Sequence, residues 1–154
     1  MVGKNSTDRA PARRPAALEW LVQFARSFVA APAVRFLALL ALCAAYLQGG
    51  LVKLLDFNGA VAEAQHFGLP FAAVCAGATI VTELGASALI LTGFYRWLGA
   101  LWLAGFTLAA TFIANRFWEI SPPERFMVAN SFFEHIGLIG GFVLVAWLDL
   151  RELN

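Results

Sequence analysis

Charge is what this sequence has least of. Asp, Glu, Lys and Arg make up 14% of its 154 residues, and hydrophobic residues reach 60%. A soluble domain carries about 25% charged and about 45–50% apolar residues. Most residues of a chain this short would touch solvent, so a soluble fold is excluded and an integral membrane protein is indicated. The mean hydropathy of +0.72 agrees. Cysteine is almost missing too. Cys43 and Cys75 lie far apart in apolar surroundings, which excludes a CxxC dithiol or a zinc motif and leaves two small buried hydrophobes. Histidine is limited to His66 and His135. A bis-histidine haem would need both, and His66 falls in a connecting stretch. The paired E-x-x-H of di-iron bundles is absent as well, because Glu134 and His135 are adjacent and no second pair exists. No metal site is therefore expected. Phosphate loops and nucleophilic triads are missing. So is any basic patch with interleaved aromatics, so nucleic acid is not an expected partner. No apolar core follows the basic start early enough for a cleavable signal.

Long apolar runs are what the sequence does have. A helix crossing a bilayer needs about 20 mainly apolar residues. Four stretches qualify, at about 34–55, 70–94, 97–115 and 126–148. The fold class is all-α: an integral membrane four-helix bundle preceded by an N-terminal interfacial amphipathic helix. Residues 1–14 read as a disordered basic cytoplasmic tail. Residues 15–31 read as the interfacial helix, with Glu19, Gln23, Arg26 and Ser27 on one face and Leu18, Leu21, Val22, Ala25, Phe28 and Val29 on the other. Spanning would immerse two charges at about 2.5–3.5 kcal/mol each, whereas lying in the interface immerses neither. Pro32 is expected to stop this helix.

Basic residues set the expected orientation. Lys4, Arg9, Arg13, Arg14, Arg26 and Arg35, with Arg96 and Arg151, fall on the side of the N-terminus, leaving Lys53, Arg116 and Arg125 on the other. The positive-inside rule puts both termini in the cytoplasm. Trp97, Trp118 and Trp147 fall near span ends, where aromatic belts lie. A tight turn at Tyr95-Arg96 makes the second and third spans antiparallel neighbours. The outer connection 56–70 has room for a short helix over 59–67, and 118–126 reads as a proline-broken loop.

Polar groups inside spans are costly and are candidates for function by default. Here they gather in the outer half: Lys53 late in the first span, Glu83 in the second, Asn115 and Arg116 closing the third, and Asn130, Glu134 and His135 in the fourth. Thr79, Glu83 and Ser87 share one helical face. Thr107, Thr111 and Asn115 share another. Glu134 and His135 diverge by about 100° on a helix, so they are two separate contacts rather than a dyad. Glu134, backed by Asn130, is expected to join Glu83 and Lys53. Two readings stay open. One is a structural network, in which Glu83 pairs with Lys53 or Arg116 to fix helix register. The other is an outward-facing polar pocket whose carboxylates and imidazole suit a quinone head group, since quinone chemistry moves protons with electrons. Gly49, Gly50, Gly137, Gly140 and Gly141 offer small faces for helix packing, with the fourth span pressing on the first beside Lys53.

These residues form a pattern. YLQGGLVKLLDF (46–57), the Gly68-Leu69-Pro70 approach to the second span, TELGASALILTGFYRWLGA (82–100), ATFIANRFW (110–118) and NSFFEHIGLIGGFVLVA (130–146) together resemble the DoxX family. The likeness covers about residues 34–150. Many members carry histidine where this chain has Asn115. The resemblance implies a small four-helix inner-membrane protein. It also implies a neighbourhood of thiosulfate:quinone oxidoreduction and of membrane complexes that handle oxidative stress. The expected role is a subunit of a quinone-linked redox complex, with quinone as the ligand. The alternatives are a non-catalytic membrane anchor for a partner protein and a small-solute carrier. The expected partners are the lipid bilayer, a soluble or membrane redox protein, and a second copy of the chain.

Overall fold

The computed structural model describes residues 15–153; the basic tail expected at 1–14 lies outside them. The described residues form six α-helices and no strand. The chain divides into two compact units, one running to Arg35 and the other covering Phe36–Asn154.

In the first unit, α1 spans Ala16–Ala30. Its 15 residues make roughly 22 Å, short of the roughly 30 Å hydrocarbon core. Trp20, Phe24 and Phe28 follow one another at one-turn spacing with rings stacked at 5.8 and 6.5 Å. Ala31 ends the helix in an extended conformation, as the residue before a proline is sterically driven to do. Pro32 then opens α2, Pro32–Leu55. A helix's first position needs no N–H, so the proline that stops one helix also starts the next, two residues before the expected boundary.

The second unit contains the rest of α2, then α3 (Phe57–His66), α4 (Ala72–Thr92), α5 (Arg96–Ala114) and α6 (Arg125–Glu152). A 3₁₀ turn over Phe117–Glu119 links α5 to α6. The four long helices, α2, α4, α5 and α6, are each long and apolar enough to cross a bilayer. The short helix starts at Phe57 rather than at 59 because Asp56 caps it, its Oδ1 accepting the Gly59 N–H at 2.9 Å. It ends before Gly68, whose φ of +68° suits glycine.

At the opposite end of the bundle, α4 and α5 join through a tight turn with Gly93 at φ +82° and Tyr95 at φ +49°. Helix ends leave backbone groups without partners, and here side chains supply them. Arg96 Nε donates to the Ile90 carbonyl at 3.0 Å. Asp149 of α6 accepts the Trp97 N–H at 3.1 Å and pairs with Arg96 Nη1 at 3.2 Å. One carboxylate thus caps α5 and ties it to α6, which requires α6 to run on past the expected end at 148.

The apolar core lies between these ends. Leu39, Cys43 and Tyr46 meet Ala86 and Ile90, Ala100 and Leu103, and Phe142 and Ala146. Tyr46 sets its ring edge-on to Phe142 at 5.4 Å. Close approach is made by glycines on α2 and α5. A Cβ on Gly99 would stand 2.7 Å from the Ala86 carbonyl oxygen and 2.9 Å from Leu89 Cβ, so α4 and α5 touch backbone to backbone there. Gly50 faces Leu84 of α4, at 2.7 Å from such a Cβ, not α6 as expected. Of the three glycines on α6, Gly141 packs on Leu42 of α2, whereas Gly137 and Gly140 have nothing within 4 Å of a Cβ position. The close helix approach expected at those two is corrected: they fall on the face turned away from the other helices. Gly99→Val is expected to cost about 1–3 kcal/mol by overpacking, and Gly137→Ala to be neutral or slightly stabilising. Thermal unfolding midpoints in detergent check both.

Candidate functional site

The α3 end of the bundle is hollow. A cavity of about 430 Å³ lies among α2, α3, α4, α5 and α6, within the range of about 300–1,000 Å³ typical of small-molecule sites. Alanine is the commonest residue in its walls, as at Ala45, Ala76, Ala109 and Ala110. Small side chains on α2, α3, α4 and α5 leave the volume that larger ones would fill. A few polar groups interrupt the apolar lining, in two clusters.

The first cluster joins α2, α3 and α4. Lys53 Nζ lies 3.6 Å from Glu83 Oε1 and 3.7 Å from Glu63 Oε2. Glu63 is half exposed, whereas Glu83 is 8% exposed. One lysine therefore bridges a buried carboxylate and a surface one. Glu83 Oε2 is buried without a hydrogen-bond partner, and buried polar atoms usually have one. Gly49 lies against the pair, since a Cβ there would sit in van der Waals contact, 3.4 Å from Glu83 Oε2 and 3.5 Å from Lys53 Nζ.

The second cluster joins α2, α5 and α6. Tyr46 Oη and Thr107 Oγ1 are 2.5 Å apart, and Thr107 Oγ1 donates to the Leu103 carbonyl at 2.6 Å. One turn on, Thr111 Oγ1 donates to the Thr107 carbonyl at 2.6 Å. His135 Nδ1 lies 2.9 Å from Thr111 Oγ1 and 3.0 Å from Asn115 Nδ2. The threonines satisfy themselves on their own helix and still offer an oxygen to a neighbour. With Nδ1 held, Nε2 is the free polar atom of a ring that lines the cavity.

Helical phase decides which expected residues belong. Lys53, Glu83 and His135 line the cavity, and Asn115 holds His135 from outside the lining. Glu134 does not join Glu83 and Lys53; it is exposed, as is Asn130. The 100° between neighbours turns His135 inward and Glu134 away. Arg116 is exposed as well and pairs with Glu119 at 3.2 Å, so Lys53 and not Arg116 partners Glu83. Beside these residues, Phe112, Phe117, Trp118, Phe132 and Phe133 form a cluster of mostly edge-to-face rings. Tyr46 and Glu63 were missed. Tyr46 was legible in principle, since Tyr46, Gly49 and Lys53 repeat at i, i+3 and i+7 on one face. Among the described residues no group of three or more His, Cys, Asp or Glu comes together to hold a metal ion.

A bundle of four bilayer-length helices around a ligand-sized hole defines the class: a small integral membrane protein with an internal site at one end. The sequence profile of the DoxX family matches residues 34–116, more than half of the chain, and the chain belongs to that family. It is similar to the inner membrane protein YphA of Escherichia coli (strain K12), with 25% identity over 117 residues that cover 76% of this chain and 84% of the relative. No solved structure matches. The profile match ends at Arg116, so α6 and His135 lie beyond it.

Removing one partner from a buried ion pair is costlier than replacing both. Lys53→Met is therefore expected to destabilise the protein by about 2–4 kcal/mol, and adding Glu83→Gln to recover most of that loss. Glu134→Gln is expected to change little. Chemical denaturation in mixed micelles measures all three.

Proposed function

We propose that this protein resides in the inner membrane, binds a quinone head group in the cavity at the α3 end, and serves as the membrane subunit of a quinone-linked redox complex. The observation that carries the reading is the unpartnered, buried Oε2 of Glu83 at the edge of an apolar hole. Beside it stands a cation, Lys53, and a second polar cluster ends in a free imidazole nitrogen. A quinone ring is flat and apolar with an oxygen at each end. Alanine walls accommodate the ring, and polar groups on different walls meet the two oxygens. Lys53 donates to a carbonyl; Glu83 accepts from the hydroxyl that replaces it on reduction. The apolar tail of such a ligand belongs among lipid chains, so a site reached from the bilayer suits it. The name of the Escherichia coli relative supports the inner-membrane location. The distribution of basic residues favours cytoplasmic termini, which turns the α3 end and Glu63 to the outer face.

Purified wild-type protein is expected to carry quinone detectable by mass spectrometry of its lipid extract. Glu83→Gln keeps the shape but removes the carboxylate, and its retained quinone should fall roughly tenfold, the equivalent of one charge-assisted hydrogen bond. Equal retention by the two proteins would sink the proposal.

A further inference from the structure

The two contacts on His135 Nδ1 make opposite demands. Thr111 Oγ1 directs its proton to the Thr107 carbonyl at 2.6 Å, so toward Nδ1 at 2.9 Å it presents a lone pair. That contact is satisfied when Nδ1 carries the ring proton. Asn115 Nδ2, at 3.0 Å, has only protons to offer. That contact is satisfied when Nδ1 is bare. A neutral imidazole carries one ring proton, and the nitrogen that lacks it is an acceptor. Both partners are adaptable. An amide presents its oxygen after a half turn, and a hydroxyl rotates its proton from the carbonyl to the ring. With the proton on Nδ1, the ring donates to Thr111 and Asn115 turns its oxygen inward. With Nδ1 bare, its single lone pair accepts from either Thr111 or Asn115. The surroundings complete themselves around either tautomer, which is unusual, because the hydrogen bond on one ring nitrogen normally fixes the other.

We infer that His135 presents either an N–H or a bare Nε2 to the cavity, so that one side chain serves both the oxidised and the reduced form of the bound ring. The inference rests on the reading of the cavity as a quinone site. An oxidised ring offers a carbonyl, which needs a donor. A reduced ring offers a hydroxyl, which is held better by an acceptor. Asn115 and Thr111 are the positioning residues that set the balance without touching the ligand. Asn115→Asp substitutes a carboxylate, which only accepts; it holds the proton on Nδ1 and leaves Nε2 bare.

The chain has only two histidines, so ¹⁵N-histidine spectra in nanodiscs, assigned with His66→Gln, report the His135 tautomer directly. The buffer is kept alkaline enough for the ring to be neutral, which the same spectra verify. Wild type is expected to show averaged ring-nitrogen shifts and Asn115→Asp the Nδ1–H form. Titration with a short-chain benzoquinone and with its quinol gives the second readout. Relative to wild type, the quinone-to-quinol affinity ratio should fall roughly tenfold in Asn115→Asp. An Asn115→Asp spectrum identical to wild type overturns the inference, and so does a switched tautomer with an unchanged affinity ratio. If wild type binds neither form, the quinone reading fails and carries the inference with it, while the spectra alone still separate that failure from a fault in the His135 surroundings.

Discussion

Hydrocarbon cannot hydrogen-bond. A polar side chain on a membrane helix must find a partner inside the bundle or reach an end where water or headgroups serve. The structure meets this demand in three ways. Lys53 and Glu83 pair between α2 and α4. Thr107 and Thr111 return their protons to their own helix, at Leu103 and Thr107. Asp149 gives its oxygens to the start of α5. Arg116, Asn130 and Glu134, which have no place in these schemes, are all exposed. Asn115, the C-cap of α5, meets His135, so Glu134 stands at the level where α5 ends.

The same constraint divides the bundle into two functional halves. Toward the α4–α5 turn the helices are apolar and tight, with Gly99 against the Ala86 backbone and Cys43, Leu103 and Phe142 fully enclosed. Toward α3 the tight contacts give way to alanine walls, and the polar groups gather where the packing opens. Tyr46 belongs to both halves: its ring leans on Phe142 and its hydroxyl meets Thr107. The tight half holds four helices in register, and that register brings Glu83 and His135 to the walls of one cavity.

Much of this was legible in the sequence. Hydropathy over about twenty residues marks the spans, because crossing a bilayer is a requirement of length and composition that each segment meets alone. The shared faces of Glu83 with Ser87 and of Thr107 with Thr111 follow from helical spacing. The direction in which a face points does not, since that depends on neighbours distant in sequence. Hence Glu134 was expected in the polar cluster and His135 was the one that arrived. For the same reason the glycines of α6 looked like packing surfaces, while Gly99, an isolated glycine in an apolar run, is the one that meets a neighbouring helix's backbone. The fourth span was expected to stop at 148, one residue short of Asp149, whose role depends on a partner more than fifty residues away.

The helices are unequal in length. The 19 residues of α5 measure roughly 28 Å and the 28 residues of α6 roughly 42 Å. Such a bundle has no single hydrophobic thickness. A bilayer matched to α5 leaves turns of α6 standing proud or forces that helix to tilt; one matched to α6 must thin around α5. Asn115 and His135 lie at the short helix's end, so the depth of that corner of the cavity is set by how the surrounding lipid resolves the mismatch. Membrane thickness thereby becomes a physical variable acting on the site.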